Sequence, residues 1–333
     1  MRTFVCSKTR FMVLATAVAL ASLAAFTAVA LAGKQDSGTP SHLTIAYQPG
    51  LGSAALILMK QLKVIEKQYP NTTVDWRVLS SGPAITTGII AGDIDIGAVG
   101  IPPYLIGWAR GLNWRILASL NLVDIWVMAK DPSIRTIADL KGKRIATPAN
   151  TSTQAVVLRK MSQVQLGDAH ALDNGLVAID QPEGMQALLN GQIDAQVAGA
   201  PFEFQEKVRG AHVVAHSYQY FGAHSGLLAV AQQKFYDDHP AFAQWFYKQV
   251  EAMQTLIGEN PDKAAHLLQD DAGGSPTRRQ FKQWLVNAAQ DWTTRPLGLM
   301  RFANFMFKTQ QLTKMPSSWL DLVFPPLQAE RGS

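Results

Sequence analysis

Short apolar runs alternate along the chain with segments whose apolar residues recur at helical spacing. Runs at residues 43–47, 74–79 and 94–99 are typical of buried strands, and residues 52–67 carry an apolar face at helical spacing. Strands that alternate with helices favour parallel sheets that are covered by helices on both faces. This part of the chain therefore predicts an α/β unit.

The same alternation restarts after residue 144. Strands are predicted at 144–147 and 193–198, while the sequence after Tyr236 has the pattern of long helices, at 240–257 and 278–292. The chain crosses between the two sets of elements twice, which predicts a hinge. The fold class is therefore predicted as α/β, with two doubly wound lobes joined by a two-strand hinge and a ligand cleft between them. The predicted boundaries are 42–124 and 226–325 for lobe 1, 125–225 for lobe 2 and 326–333 for a tail.

One stretch of sequence occurs twice, at a constant offset of 99 residues. The matching pairs are Gly92/Gly191, Ile94/Ile193, Asp95/Asp194, Gly100/Gly199 and Pro102/Pro201. Each copy predicts the end of a helix, a short buried strand and a Gly-x-Pro loop beyond that strand. Because open α/β sheets bind ligands beyond the carboxyl ends of their strands, the two loops predict one ligand held between two similar lobes.

The N-terminal segment has the pattern of a secretory signal peptide. Arg2, Lys8 and Arg10 precede an apolar run at 11–26, and small residues follow it, which predicts a signal peptide over residues 1–32 and a flexible leader over 33–41. An uncleaved membrane anchor is the alternative. The single cysteine, Cys6, lies within this segment, and an exported protein without cysteine suits the periplasm.

Charge and composition argue against several classes of function. The formal net charge is +5, and +2 remains once Arg2, Lys8 and Arg10 are removed with residues 1–32. This near-neutral balance, without a dense Lys/Arg run, gives no support for nucleic-acid binding. The seven histidines show no metal-ligand spacing, and the Gly-x-Ser-x-Gly signature of serine hydrolases is absent. We therefore predict no enzyme activity, no metal and no cofactor.

Three loops that follow predicted strands and open predicted helices are candidates for anion binding. They are residues 50–55, 81–83 and 150–154. The free N–H groups of a helix start, with a partial charge of about +0.5, attract an anion. Residues 50–55 also fit the Gly-x-Gly-x-x-Ala form of the dinucleotide fingerprint, but the acid expected near the end of the next strand is missing. Plain tight turns and helix caps are the alternative interpretation of these loops.

Two aspartates and one His-Ser pair are further candidates for chemistry. Asp95 and Asp194 each lie at the entry of a buried strand, opposite the ligand end, so we expect them to hold nearby backbone rather than to catalyse. A further strand is predicted at residues 226–231, where the chain crosses back to the first lobe, and it is called the return strand below. His224 and Ser225 precede it, where they either face the cleft or belong to an ordinary polar loop.

Several motifs along the chain together carry a resemblance to a known family. They are residues 73–77 (Thr-Val-Asp-Trp-Arg) with Ser81-Gly82, and residues 91–97, 136–146, 191–195 and 235–240. With these motifs the sequence resembles the solute-binding proteins of ABC importers for sulfonates, taurine and nitrate, a family that includes binders of pyrimidine precursors. The resemblance covers nearly the whole chain after residue 32, and it implies a type II periplasmic-binding-protein fold and capture of a solute without chemistry.

The same resemblance implies the partners and the binding residues. The partners are a small organic anion and the ABC permease with its ATPase at the inner membrane, and the chain is predicted to be a monomer. In this family the ligand contacts come from the loops after corresponding strands. With His224 added from the loop before the return strand, the predicted ligand-binding residues are Gln48, Gly50, Ser53, Ser81, Gly82, Ile101, Pro102, Asn150, Thr151, Ser152, Ala200, Pro201 and His224.

The identity of the anion is left open by the sequence. The resemblance implies that taurine binders carry an acid just before the return strand, where this chain has His224-Ser225-Gly226-Leu227. A sulfonate without an amine therefore fits better than taurine. A nitrate-, pyrimidine- or other aromatic-type solute is the alternative ligand, and an enzyme or a sensor on the same scaffold is the alternative function.

Overall fold

The strands of this protein form two five-stranded sheets and one two-stranded ribbon, as seen in a computed structural model that describes residues 38–287 and 290–329. All elements discussed below lie in the unit formed by residues 40–333. The predicted signal peptide lies outside the described residues, as do most of the predicted leader and the last residues of the predicted tail. In chain order the strands are β1 (His42–Tyr47), β2 (Thr73–Val78), β3 (Ile96–Val99), β4 (Trp114–Ser119), β5 (Leu122–Val123), β6 (Trp126–Ala129), β7 (Ile145–Thr147), β8 (Leu176–Ala178), β9 (Ala195–Ala198), β10 (His212–His216), β11 (Leu228–Gln232) and β12 (Gln290–Asp291).

The two large sheets have the same strand order and the same strand directions. The first has the order β2-β1-β3-β11-β4, and the second, in the matching direction, has β8-β7-β9-β6-β10. In each sheet the first three strands are parallel, and the fourth runs antiparallel to both of its neighbours. The repeated sequence falls on the central strands β3 and β9, whose residues are all buried. Each sheet, with the helices packed on it, is called a lobe below.

Helices connect the strands and cover the sheets, and the chain ends in a helical segment. In the described residues, no helix is both long enough and apolar enough to span a membrane. In chain order the helices are α1 (Ala54–Gln61), α2 (Val64–Gln68), α3 (Gly82–Ala91), α4 (Ile101–Ala109), α5 (Thr153–Leu166), α6 (Gln181–Leu189), α7 (Phe202–Val208), α8 (Tyr218–Phe221), α9 (Gln233–Asp238), α10 (Pro240–Glu259), α11 (Pro261–Asp271), α12 (Arg278–Leu285), α13 (Leu299–Lys308) and α14 (Pro325–Gln328).

Two crossings of the chain connect the sheets. The first leads from β4 to β6 and contains β5, and the second leads from β10 to β11. Strand β5 pairs with β12, so that Leu122 lies opposite Asp291 and Val123 opposite Gln290. Beside the crossings, the ring of Phe302 on α13 stacks on that of Phe221 in the second lobe, with ring centroids 3.9 Å apart. The C-terminal segment therefore contacts the second lobe as well as the first.

Two of the helices predicted from sequence end earlier than their patterns suggest. The helix predicted over 52–67 is interrupted at Lys63, which has φ 50° and ψ 47°, because a left-handed residue cannot continue a right-handed helix. The helix predicted over 278–292 ends at Leu285, because Gln290 and Asp291 pair with the first crossing instead. The first difference has a local cause in the backbone of Lys63, and the second arises where a tertiary pairing overrides the local periodicity.

Candidate functional site

A cavity of about 60 Å³ lies between the lobes, beyond the carboxyl ends of the strands. This volume is several times the roughly 10–15 Å³ that one enclosed water molecule needs. All the described residues that line the cavity are uncharged, and both lobes and both crossings contribute to it. They are Gln48, Pro49, Gly50, Gly52, Ser81, Gly82, Gly100, Pro103, Asn121, Val123, Ile125, Pro148, Ser152, Thr153, Gln154, Gln181, Gly199, Ala200, Gly226 and Leu227.

Four helices begin at this cavity, two from each lobe. Helices α3 and α4 begin at Gly82 and just after Gly100, and helices α5 and α6 begin at Thr153 and Gln181. Each of these four residues lines the cavity. The N-terminus of a helix exposes unpaired N–H groups and carries about half a positive charge. The cavity is therefore electropositive without a cationic side chain, which suits a small anion.

Two glutamines, one from each lobe, bond to the ends of the central strands. Gln48 Nε2 donates a hydrogen bond to Ala98 O at 2.8 Å, and Gln181 Oε1 accepts one from Gly199 N at 2.8 Å. Both amides are thus fixed to the ends of the central strands β3 and β9, where the repeated loops begin. The arrangement places one oriented amide on each side of the cavity.

The lobes touch directly through their backbones at the edge of the cavity. Leu51 N in the first lobe donates a hydrogen bond to Ala200 O in the second at 3.0 Å. The neighbouring Gly50 has φ 120°, and a Cβ atom there would lie 3.0 Å from Ala200 O. Glycine is the residue that adopts such a conformation readily, so position 50 allows both the turn and the close approach. This contact closes the cleft.

The structure brings six of the thirteen predicted binding residues to the cavity wall. These six are Gln48, Gly50, Ser81, Gly82, Ser152 and Ala200. Ser53 lies just behind the wall, where its buried hydroxyl donates to Gln48 O at 2.7 Å. The helix caps differ in detail, because Ser152 Oγ accepts from Ala155 N at 3.3 Å whereas the Ser81 side chain makes no capping hydrogen bond.

Five further predicted residues lie away from the cavity wall. Ile101 is buried, with Pro102, in the first turn of α4, behind Gly100. Asn150 and Thr151 are exposed on the loop before α5. Pro201 contributes to a different, apolar cavity between the lobes. Each of these residues lies within two positions of a lining residue of the same loop or helix start, but its own side chain is not part of the cavity wall.

His224 occupies a different place from the one predicted, because it is fully buried in the hinge region and does not line the cavity. Its Nε2 lies 2.9 Å from Ser217 Oγ, and its Nδ1 lies 3.1 Å from Ser225 O. Ser217 Oγ in turn lies 3.1 Å from Asp124 Oδ1. Burial lowers the pKa of His224 to about 4, so the ring is neutral at neutral pH. Through Ser217, the ring is thus linked to Asp124 of the first crossing.

Several lining residues were missed by the sequence analysis. Gln181 and Pro182 stand at an offset of 99 from Gly82 and Pro83, so the repeat contained a signal for Gln181. Asn121 had no such signal. Its Nδ2 donates to Gln290 Oε1 at 3.2 Å and its Oδ1 accepts from Leu227 N at 3.1 Å, which joins the first crossing to the second and to β12.

The two repeated aspartates hold backbone, as predicted from the sequence. Asp95 Oδ2 accepts a hydrogen bond from Thr44 N at 2.8 Å, and Asp194 Oδ2 accepts one from Arg144 N at 2.8 Å. Both carboxylates lie at the amino ends of their sheets, away from the cavity. They therefore tie neighbouring parallel strands together and are not part of the candidate site.

Comparison with models of protein families shows to which family this chain belongs. Residues 36–269 match the model of the NMT1-like family. Because this match covers most of the chain, the protein belongs to the NMT1-like family.

Two curated relatives from Escherichia coli strain K12 are similar to this chain. One, named as an aliphatic sulfonates-binding protein, is 27% identical over 188 residues, which is 56% of each chain. The other, a taurine-binding periplasmic protein, is 26% identical over 227 residues, which is 66% of this chain and 68% of the relative. The matched regions thus span little more than half to two thirds of these relatives.

Solved structures show the same fold at low sequence identity. The alkanesulfonate-binding protein SsuA from Xanthomonas axonopodis pv. citri, bound to MOPS, has a TM-score of 0.70 at 20% identity and covers 83% of this chain and 96% of its own. The periplasmic nitrate-binding protein NrtA from Synechocystis PCC 6803 has a TM-score of 0.72 at 13% identity, with 86% and 87% covered. The predicted type II fold of periplasmic binding proteins is confirmed.

Proposed function

We propose that this protein is the extracytoplasmic solute-binding component of an ABC importer and captures a small organic anion, a sulfonate, between its lobes. The observation that carries the proposal is the convergence of four helix N-termini on an uncharged cavity at a closed interface. Backbone N–H groups and fixed helix dipoles bind a compact anion there without a counter-charge. The names of the sulfonate- and taurine-binding relatives support the same class of ligand.

The cavity supports binding rather than catalysis. Its polar lining consists of serine, threonine, asparagine and glutamine side chains, none of which pairs there with an imidazole or a carboxylate of the described residues. A nucleophile needs such a base to be activated, so the site as built holds a ligand and does not transform it. Delivery to a membrane permease and its ATPase, export through residues 1–32 and function as a monomer belong to the same proposal.

The lining also bears on the choice among sulfonates. Taurine carries an ammonium group, and a buried ammonium needs a carboxylate or several oriented acceptors to offset its desolvation. All the described lining residues are uncharged, so the cavity offers no carboxylate. We therefore propose an amine-free sulfonate as the ligand.

Isothermal titration calorimetry tests the proposal. The protein lacking residues 1–32 retains all elements of the fold, since these lie within 40–333. It is titrated with methanesulfonate, ethanesulfonate, taurine, nitrate and uracil. We expect saturable binding of the two alkanesulfonates and at least tenfold weaker binding of taurine. If nitrate or uracil bound and no sulfonate did, the proposed ligand class would be wrong. Conversion of a bound sulfonate into a product would refute the proposal that the protein binds its ligand without chemistry.

A further inference from the structure

A cavity of about 500 Å³ lies between the second lobe and helix α13. Residues of α5 and α8 form one wall, and residues of α13 form the other. Three of its described lining residues are the cations Lys160, Arg301 and Lys308, and none is a carboxylate. This cavity is called the basic groove below. It shares no lining residue with the cavity of about 60 Å³ between the lobes, which is called the polar cavity.

The polar side chains of the basic groove lie on two helices at helical spacing. Arg301, Asn304 and Lys308 are three and four residues apart, so they share one face of α13. Lys160 and Gln163 are three residues apart on α5. Because a helix rises about 1.5 Å per residue, the backbones of Arg301 and Lys308 are roughly 10 Å apart along α13. The positive charge is therefore spread along the groove and not gathered at one point.

The three cations of the basic groove form no ion pair with a described residue. Arg159, next to Lys160 on α5, shows the contrast, since its Nε lies 2.9 Å from Asp173 Oδ1. Arg301 Nη2 donates a hydrogen bond to Ala223 O, which holds the guanidinium beside the second crossing. Its other N–H groups have no partner among the described residues. The groove thus lacks counter-charges of its own, and an anion from solution would supply them.

Two buried aromatic rings form the apolar part of the lining. Phe221 and Phe305 are 3% and 6% exposed, and their ring centroids are 5.6 Å apart. Lys160 Nζ lies 5.4 Å from the centroid of the Phe305 ring, so its ammonium is held over an apolar surface. Apolar groups beside a charge reduce the screening by water. A cation in the groove therefore attracts an anion more strongly than a cation on an open surface does.

We propose that the basic groove binds a small polyanion, a molecule that carries several phosphate or carboxylate groups. The volume of the groove lies within the roughly 300–1,000 Å³ that is typical of ligand pockets. A single small anion meets only part of the charge, whereas anionic groups spaced along one molecule reach both ends of the groove. This site goes beyond the proposed function, because its residues lie outside the polar cavity and its occupancy does not require a sulfonate.

Isothermal titration calorimetry of the protein lacking residues 1–32 tests the proposal with tripolyphosphate, citrate and orthophosphate. We expect tripolyphosphate, citrate or both to bind at one site per chain, and the comparison shows whether phosphate or carboxylate groups are preferred. Orthophosphate should bind at least about tenfold more weakly, because it pairs with fewer of the cations. Failure of both polyanions to bind, or equal affinity for orthophosphate, would overturn the proposal. Neither result depends on whether a sulfonate binds in the polar cavity.

A matched pair of double variants locates the site. Lys160→Gln with Lys308→Gln removes two charges from the groove, and Lys67→Gln with Lys141→Gln removes two charges from exposed positions outside it. Lys67 matches Lys308, since each stands in the last turn of a helix.

The groove variant should lose at least about tenfold in affinity for the polyanion, while the control variant binds it as the wild type does. Equal losses in both variants would mean that the polyanion responds to net charge alone. An unchanged affinity in the groove variant would mean that it binds elsewhere. Either result would overturn the proposal.

Discussion

Thr153 of the second lobe lies against the backbone of Gly100 in the first. A Cβ atom on Gly100 would lie 2.0 Å from Thr153 Oγ1, far closer than any real contact. Both residues line the polar cavity, and both stand at the N-terminus of a helix. The absence of a side chain at position 100 therefore allows the two helix ends to approach one anion together.

Gly100→Ala should weaken ligand binding without unfolding the protein. Gly100 has φ −73°, which alanine adopts freely, so the strain falls on lobe closure rather than on the local backbone. We expect at least a tenfold loss of sulfonate affinity by calorimetry, with nearly unchanged thermal unfolding of the free protein. Gly258→Ala is the control, because a Cβ atom there meets nothing within 4 Å. Wild-type affinity in Gly100→Ala would show that the close approach of Thr153 to Gly100 is not needed for binding.

Removing two hydroxyls from the cavity should also weaken binding. Ser81 and Ser152 both line the cavity, and a hydrogen bond to a charged group contributes about 1.5–3 kcal/mol. Ser81→Ala with Ser152→Ala should therefore weaken sulfonate binding by at least about 100-fold. Since Ser152 also caps α5, the free energy of unfolding should fall by about 1 kcal/mol.

A cap outside the cavity provides the control for this double variant. Ser318 Oγ accepts from Leu320 N at 3.2 Å near the C-terminus, so Ser318→Ala removes a similar cap. It should destabilise by a similar amount and bind sulfonate normally. An unchanged dissociation constant for sulfonate in the double serine variant would refute the proposal that the helix N-termini at this cavity bind the anion.

The repeated aspartates should behave as structural equivalents. Asp95→Ala and Asp194→Ala each leave one backbone N–H without its acceptor, so each should cost about 1–3 kcal/mol of stability, measured by urea unfolding. Sulfonate affinity at a temperature where both variants are folded should match that of the wild type. A selective loss of binding in either variant would give that aspartate a role in the site.

Much of this architecture could be predicted, because apolar runs, helical periodicity and the internal repeat are local patterns of the sequence. Asp95 and Asp194 could be assigned from their place before a buried strand, and the repeat placed the cavity between equivalent loops. Asn121 shows the limit, since the direction of its side chain depends on hydrogen bonds with Leu227 and Gln290, which lie 106 and 169 positions further along the chain. The apolar cavity that Pro201 lines was likewise not predictable, because its walls come from seven helices and strands of both lobes.

Stability should fall as pH rises, because two acids on α7 are buried. The carboxyl oxygens of Glu203 and Glu206 have no hydrogen-bond partner among the described residues, and burial raises the pKa of both, that of Glu206 from 4.5 to about 8. The folded state thus holds protons that the unfolded chain releases near pH 4.5. The penalty is absent below that pH and grows through neutral pH, and the part that Glu206 contributes is complete above about pH 8.

Glu206→Gln should remove its part of this penalty. The variant should gain at least about 1 kcal/mol more stability at pH 9 than at pH 5, since one pKa unit corresponds to about 1.4 kcal/mol. Chemical unfolding at the two pH values measures the difference. Glu183→Gln, at an exposed position on α6, should show no such dependence. An equal effect of Glu206→Gln at both pH values would mean that Glu206 is ionised in the folded protein.

The central claim is that helix N-termini from both lobes hold the anionic head in the polar cavity. A crystal structure of the protein lacking residues 1–32, grown with butanesulfonate, tests it most directly. We predict sulfonate oxygens within hydrogen-bond distance of backbone N–H groups at the starts of α3 and α5, the residues after Ser81 and Ser152. A sulfonate bound outside the cavity, or held there by a lysine or arginine side chain, would contradict the account.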